Sequence, residues 1–463
     1  IHLMSLLQHP GAIPPGATGY EVSQSVMFDG TRSEFLTRDV SSAGSRTTAT
    51  ISIWFKRGRL GQLGFLWEFG NTDNDNGRIF ARLQADDTLR IMGGSSTFLQ
   101  TNRRFRDPNA WMHLVVAFDT TSGTADNRIR MYINGVEETS FSTRTNPSQN
   151  DILGLNFQKQ TIGSSHVDST GHFDGYMCEI VYQDGTASAP TEFGEFDSDS
   201  NIWKPIDPSD KPSGTNKFYL DFEDSSNLGN DASGGTDFTE NNIDSSDVFL
   251  DTCTNNFCTW NYLTGYMNSS PSATGFTAGN LLRQGGNGGY NQCYASIGVS
   301  KEYSDAIWYW EVENTGVFNS STMEILVGMV KESQISAGNS HTDIRNSGIA
   351  EFASNLIPSF SQNSHANTIF GMLLDMSTSN VKLKFYVNDT LVKTTENLPT
   401  TEYLFPYGAI FGTSGEMIAN FGQGAIQEIG MDSANADAGG IGAFEFATKS
   451  GRALCTKNLA EHG

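Results

Sequence analysis

Apolar and polar residues alternate in the same way along two distant segments of the chain, Asn127–Gly135 and Val381–Asp389. Alternate positions are apolar, and an Asn-Gly or Asn-Asp pair at the end of each segment supplies residues that tight β-turns need. Such alternation indicates a strand with one buried side. Each half of the chain is therefore predicted to hold a β-hairpin, whose inward side chains are Ile129, Met131, Ile133, Leu383, Phe385 and Val387.

Short strand-like segments bounded by turn residues fill two long stretches, 25–205 and 290–422. Segments of this length and spacing are typical of antiparallel sandwiches. The strongest helical candidate, Ala425–Asp432, is interrupted by Gly430, which disfavours a helix there. The pattern predicts an all-β fold of two antiparallel jelly-roll sandwiches in tandem.

Changes in composition suggest where the domains begin and end. Residues 206–289 are rich in Asp, Ser, Gly and Asn, with one strand-like island at Lys217–Phe222, and we predict a linker there. The predicted boundaries are an N-terminal arm at 1–24, a sandwich at 25–205, the linker at 206–289, a second sandwich at 290–424 and a C-terminal segment at 425–463.

The N-terminal arm is apolar and cannot be helical. Its apolar side chains lie on a backbone that Pro14 and Pro15 hold extended. We expect residues 1–20 to dock the protein onto a larger assembly or a symmetric partner, with a trimer as the expected oligomer. The first ten residues lack the basic region and cleavage site of a signal peptide, so we expect no secretion signal in them.

The charge and cysteine content narrow the range of partners. The chain has 29 basic and 52 acidic residues and a net charge of −23, which repels nucleic acid and anionic membranes. No apolar run is long enough to span a bilayer, so we expect no membrane insertion. The five cysteines do not have zinc-ligand spacing. We expect free thiols, and the nearest pair, Cys253 and Cys258, could close a small loop under oxidising conditions.

Motifs in both halves carry resemblances to known families. Residues 25–205 contain Val26–Gly30, Trp111–Val116, Arg130–Gly135 and Phe173–Tyr176 and resemble a concanavalin-like domain of the laminin-G type. Residues 290–422 contain Trp308–Val312, Phe370–Asp375, Phe385–Asn388 and Ala419–Gly422 and are similar to a SPRY domain. The join at 251–261 resembles a connector in tailed-phage virion proteins, many from marine phages, which usually have Pro where Cys253 stands.

Catalytic and metal-binding chemistry is weakly indicated. Glu311 and Glu313 are the nearest approach to a glycosidase acid pair, but the apolar alternate positions beside them predict solvated carboxylates. Laminin-G-type domains often hold calcium, and Asp73 and Asp75 lie in an Asx-rich loop, yet Arg82 occupies the place of the acid that an EF-hand requires. We therefore predict no enzyme activity, no cofactor and no metal. A histidine inside a strand, His113, is expected to be a satisfied structural residue.

The resemblances imply a non-enzymatic virion protein, a phage fibre or a capsid decoration. SPRY domains generally bind partners with loops at one end of the sandwich, which implies Asn314–Ser321, Ser333–Ser347 and Ala353–Asn367 here. Among these residues the predicted partner-binding side chains are Asn319, His341 and His365. Laminin-G-type modules often bind glycans, so other virion proteins and a host surface glycan or protein are the expected partners. The alternatives are a secreted bacterial lectin-like adhesin and a polysaccharide depolymerase.

Overall fold

The computed structural model describes residues 19–70, 77–167, 171–264, 266–267, 270–271, 275–286, 289–315, 324–336, 340–346, 349–357, 367–412, 415–424 and 433–463. The chain divides into two compact units, the first running to Val248 with Thr252–Thr254, and the second comprising Phe249–Asp251 and Asn255–Gly463. Most of the predicted arm and Ala425–Asp432 lie outside the described residues. No helix among the residues described is both long and apolar enough to cross a membrane.

The first unit consists of two antiparallel sheets. Across the first sheet the strand order is Val136–Glu137, Ile129–Ile133, Met112–Asp119, Thr48–Arg57, Gly175–Asp184 and Ser25–Phe28, and Phe218–Leu220 also pairs with Gly175–Asp184. Across the second sheet it is Phe141–Arg144, Ser96–Arg104, Thr88–Gly93, Arg78–Leu83, Gly64–Gly70, Gln158–Ile162, Phe35–Val40 and Thr239–Asn241. Gly194–Phe196 and Trp203–Pro205 form a separate hairpin, and a short strand, Val248–Phe249, contains the point in the sequence where the first unit passes into the second. Short 3-10 turns lie at Ala125–Asn127, Pro190–Glu192 and Ser245–Asp247.

The predicted register of the first hairpin is confirmed. Ile129, Met131 and Ile133 lie in one hydrophobic core with residues from both sheets. Tyr132 points to the opposite face and packs there in a second cluster with Val115, Val181, Phe193 and Tyr219. The outer face of this sheet is therefore also covered, because the chain at 190–219 folds back over it.

The structure corrects the predicted linker. Residues 206–248 belong to the first unit, where Phe218–Leu220 and Thr239–Asn241 extend the two sheets. Apolar side chains of this stretch, Phe218, Leu220, Phe222, Leu228, Phe238 and Ile243, are part of the core. The stretch looks polar because these residues are widely separated by surface turns. Strands at the other end of the predicted linker belong to the second unit.

The second unit is also a sandwich of two antiparallel sheets. The strand order is Ser270–Pro271, Tyr266–Met267, Tyr290–Tyr294, Leu404–Phe411, Glu324–Lys331 and Ala350–Phe352 in one sheet. In the other it is Phe276–Thr277, Leu282–Gln284, Glu416–Asn420, Ile307–Asn314, Thr368–Asp375, Lys382–Val387 and Thr390–Thr395. The helices are Glu332–Ser336, His341–Asn346, Ala353–Leu356 and Thr456–His462, with 3-10 turns at Tyr262–Thr264 and Ala278–Asn280. The predicted all-β fold is confirmed.

The C-terminal segment covers the outer face of a sheet in the second unit. Tyr309, Leu373 and Tyr386 lie on that face and pack against Phe444 and Ala453. The segment contains a hairpin of Asn435–Ala436 and Ala443–Phe444 before the final helix. Leu383, Phe385 and Val387 are buried as predicted, and burial of Tyr386 on the opposite face follows from this cover.

Candidate functional site

The first unit has a polar cleft of about 310 Å³ beside three of its loops. The loops are those that follow Ser25–Phe28, follow Thr48–Arg57 and precede Gly175–Asp184. The polar side chains that line the cleft are Ser33, Arg57, Arg59, Gln62, His172 and Asp174. We call it the Asp174 cleft.

Hydrogen bonds to two acidic residues shape the first loop. Asp29 Oδ1 accepts hydrogen bonds from Thr31 N at 2.7 Å and Thr31 Oγ1 at 2.6 Å, which closes a tight Asx turn. Glu34 Oε2 accepts a hydrogen bond from Asp29 N at 2.6 Å, and Glu34 Oε1 lies 3.1 Å from Arg32 Nε. Burial, with the nearby Asp247 carboxylate, raises the Glu34 pKa to about 9. Hydrogen bonds between its own residues therefore stabilise this loop.

Asp87 holds the second loop. Its Oδ1 accepts a hydrogen bond from Gly61 N at 2.8 Å and lies 3.2 Å from Arg57 Nη1, while its Oδ2 lies 2.8 Å from Arg106 Nε. Arg57 Nη2 in turn donates to Arg59 O at 3.0 Å. These bonds fix the backbone around Arg59 and leave its half-buried side chain at the cleft.

The third loop supplies a buried acid and an imidazole. Both carboxylate oxygens of Asp174 are buried, and Arg59 Nη1 is 3.9 Å from Oδ2. Burial, reinforced by Asp29, raises the Asp174 pKa to about 7 despite Arg59. Burial also lowers the pKa of His172, whose Nδ1 is buried and finds no hydrogen-bond partner in the described part of the chain. Gly175, at φ 141°, lets this loop pass close to Lys56 O, which a Cβ would approach to 2.1 Å.

The Asp174 cleft can hydrogen-bond a neutral polar ligand. The guanidinium of Arg59 and the amide of exposed Gln62 offer donors, and Gln62 and Ser33 offer acceptors. Asp174 is its only acidic lining residue among the residues described. Glycoside hydrolysis typically uses two carboxyl groups that flank one bond, and the described residues supply one carboxyl group to this cleft.

The structure places only one of the three predicted partner-binding residues. Asn319 and His365 lie outside the described residues. The His341 ring stacks on Tyr290 with centroids 3.7 Å apart, and Tyr290 Oη donates to Glu324 Oε2 at 3.1 Å. Burial and Arg345 lower the His341 pKa. His341 therefore helps to pack its short helix on the sheet, and its role in partner binding stays a prediction.

The prediction that Glu311 and Glu313 are solvated is wrong, because the C-terminal segment buries both. Glu311 accepts hydrogen bonds from Tyr309 Oη at 3.0 Å and from the backbone N–H groups of Glu445 and Phe446, both at 2.9 Å. Burial raises the pKa of Glu311 to about 7 and that of Glu313 to about 8. Trp308, Trp310 and Val312 are buried as expected.

The strand histidine of the first unit, His113, has a structural role. His113 is fully buried, and Trp203 Nε1 donates to its Nδ1 at 2.9 Å, while its Nε2 lies 2.7 Å from Ser52 Oγ. Nδ1 is thus the acceptor and Nε2 carries the proton, and burial lowers the His113 pKa to about 3, which confirms a satisfied structural histidine.

All five cysteines are free, as predicted. However, Cys253 Sγ lies 3.6 Å from Cys178 Sγ, which corrects the suggested pairing with Cys258.

The described residues do not form a cluster that could bind a metal ion. No group of three or more His, Cys, Asp or Glu side chains suited to a metal ion occurs among the described residues. The Asp73/Asp75 loop lies outside them, and treatment with a chelator tests whether calcium binds there.

Comparison with known proteins agrees with the sandwich of the first unit. Residues 29–191 match the Laminin_G_3 family model, described as the concanavalin A-like lectin/glucanases superfamily. No curated protein sequence matches the chain. The predicted phage resemblance finds no support in these matches.

Several solved structures are similar at low identity. A heptameric SAP-like pentraxin from Limulus polyphemus is 14% identical over 37% of this chain and 80% of its own, with a TM-score of 0.27. The CBM40 of a Ruminococcus gnavus sialidase is 14% identical over 38% and 94%, with a TM-score of 0.24. A human SPRY domain is 14% identical over 29% and 86%, with a TM-score of 0.19. These scores are too low to support functional inference. The family match therefore stands alone, and it shows that residues 29–191 are similar to the concanavalin A-like lectin/glucanases superfamily.

Proposed function

We propose that this chain is a non-enzymatic glycan-binding protein of a virion surface and that the Asp174 cleft takes a neutral part of a host surface polysaccharide. The observation that carries the proposal is the overlap of the lectin/glucanase family match at 29–191 with a cleft of mixed donors and acceptors. Residues on both sides of this cleft, Arg59 and Asp174, lie within the matched range. The resemblance of the 251–261 join to tailed-phage connectors supports the virion setting, and a trimer remains the expected assembly.

Binding is tested with the full chain on a panel of neutral polysaccharides, including host capsule. The double variant Arg59→Ala/Gln62→Ala removes donors at the cleft without touching the core, and we expect at least tenfold weaker binding. Lys159→Ala is the matched control, because Lys159 pairs with Asp39 on the second sheet and does not line the cleft. Unchanged binding in the double variant would overturn the site.

Catalysis is tested on the same samples. Capsule incubated with the purified protein should keep its chain length in size-exclusion chromatography. Shortened chains would replace this proposal with a depolymerase. The virion setting is tested by detecting the chain on purified particles with an antibody, and its absence from particles would favour a secreted adhesin.

A further inference from the structure

The second unit has a cleft of its own, far larger than a water site. Its volume is about 500 Å³, within the range of roughly 300–1,000 Å³ that small-molecule sites occupy. The side chains that bear on its chemistry are Tyr303, Asp305, Ser377, Ser450, Arg452 and His462. We call it the Arg452 cleft, and it shares no residue with the Asp174 cleft.

Arg452 presents an unpaired cation to this cleft. Its backbone is anchored to a strand, since Arg452 N donates to Ile307 O and Tyr309 N donates to Arg452 O, both at 2.9 Å. Within the described part of the chain no acceptor takes a hydrogen bond or an ion pair from its guanidinium. By contrast, Arg57 and Arg38 are each paired with a carboxylate. The planar fork of Arg452 is therefore available for a ligand carboxylate, the group it matches best.

An exposed aromatic ring lies in the same cleft. Tyr303 is 54% exposed and stacks on Tyr403 with centroids 5.9 Å apart and planes at 20°. The stacking on Tyr403 holds one face, so the ring is oriented before a ligand arrives. The rest of its surface offers apolar area that suits the C–H face of a sugar ring.

The backbone beside the cleft is strained. Lys449 and Ser450, two consecutive non-glycine residues, have φ angles of 53° and 71°. Such residues persist only where the surroundings fix them, and they gather at ligand sites. Here the turn fixes the direction of the backbone that places Ser450 and Arg452 in the cleft lining.

Of the two acids that line the cleft, Asp305 and Glu461, the first is neutralised by an ion pair. Asp305 is ion-paired with Lys301, and Glu461 lies 3.5 Å from His462 Nε2. Because the protein carries a net charge of −23, general attraction of anions is excluded. An anion would bind only through a specific pairing, which Arg452 provides.

We propose that the Arg452 cleft binds one acidic sugar residue, with its carboxylate on the Arg452 guanidinium and its ring against Tyr303. This site is additional to the proposed function, because it uses neither the first unit nor a neutral glycan.

The test compares a charged and an uncharged form of one ligand on the full chain. Tetragalacturonate and its fully methyl-esterified form are titrated calorimetrically, and N-acetylneuraminic acid is followed by saturation-transfer NMR. We expect the esterified form to bind at least tenfold more weakly. Arg452→Gln should weaken binding of the charged form at least tenfold and remove the difference between the forms. Tyr303→Ala should weaken both forms.

The matched control is Lys382→Gln, which removes an exposed cation that pairs with Glu396 elsewhere on the unit. It should leave binding unchanged, as should Arg59→Ala, which separates this site from the Asp174 cleft. Equal binding of the two forms, or no binding of either acidic probe, would overturn the proposal. If Arg452→Gln does not fold, the comparison of ligand forms on the wild type decides.

Discussion

Replacing Glu313 by Gln should change how the stability of the second unit depends on pH. Glu313 lies between Ile369 and Ile418 on the neighbouring strands, and among the described residues neither of its oxygens has a hydrogen-bond partner. Burial, with Glu445 nearby, raises its pKa from 4.5 to about 8. Between pH 4.5 and about 8, the folded state therefore keeps a proton that the unfolded chain has released.

The sign follows from that difference in bound protons. A raised pKa contributes stability that is fully present below pH 4.5 and is lost as the pH rises to about 8. Since one pKa unit corresponds to about 1.4 kcal/mol, the ionised carboxylate could cost at most about 5 kcal/mol. Relaxation and water entry reduce such penalties, and we expect about 2 kcal/mol.

The assay is calorimetric melting of wild type and Glu313→Gln at pH 5, 7 and 9. At pH 9 the variant should melt about 4–8 °C higher in one transition, the scale of about 2 kcal/mol for a unit of this size, and at pH 5 the gain should vanish. Glu302→Gln is the matched control, because Glu302 is an exposed acid of the same unit. Parallel pH profiles for wild type and Glu313→Gln would refute the reasoning.

Four further predictions concern the first unit and metals. Trp203→Phe removes the donor to His113 and should lower the unfolding free energy by about 1–3 kcal/mol in urea; no loss would mean that the bond is not formed. The stability from neutral His113 should be present above pH 6.5 and fall as the pH approaches 3. Mild oxidation should join Cys178 to Cys253, seen as the loss of two hydrogen atoms in a linked peptide, and a link to Cys258 instead would contradict the 3.6 Å contact. A chelator should leave both melting transitions unchanged, and a shift of several degrees would point to the Asp73/Asp75 loop.

The periodicity of the sequence predicted which face of a strand each side chain occupies, because that depends on nearby residues. It did not predict contacts between residues that are far apart in the chain. The inward set of each hairpin follows from alternation, because a strand places every second side chain on one face. Burial of Glu311 could not be predicted in this way, since the N–H group of Glu445 that binds it is 134 positions away. The contact of Cys178 with Cys253 likewise joins residues that are 75 positions apart.

The candidate sites show the same limit. Three loops from widely separated parts of the chain build the Asp174 cleft, and no motif links Arg59 with Asp174. The Arg452 cleft joins Tyr303 to a segment near residue 450, and an arginine in a polar segment gives no signal that it lacks a partner. The predicted SPRY-type loops contain His341, but its stacking on Tyr290 could be known only from the structure.

The acids whose pKa values are raised are distributed between the clefts and the covered faces of the sheets. A raised pKa often marks a general acid in a cleft, and here burial raises the pKa of Glu179 and Glu313, each to about 8. Glu179, however, accepts hydrogen bonds from Tyr219 Oη at 2.8 Å and Tyr20 Oη at 3.0 Å, and Glu313 lies under the C-terminal segment. Neither of these two acids lines either cleft, whereas Asp174, whose pKa burial raises to about 7, lines one of them as its only acid among the described residues. The pKa shifts of Glu179 and Glu313 therefore reflect how the outer faces of the sheets are covered, and a single acid in the Asp174 cleft agrees with the proposal that this cleft holds a glycan without cleaving it.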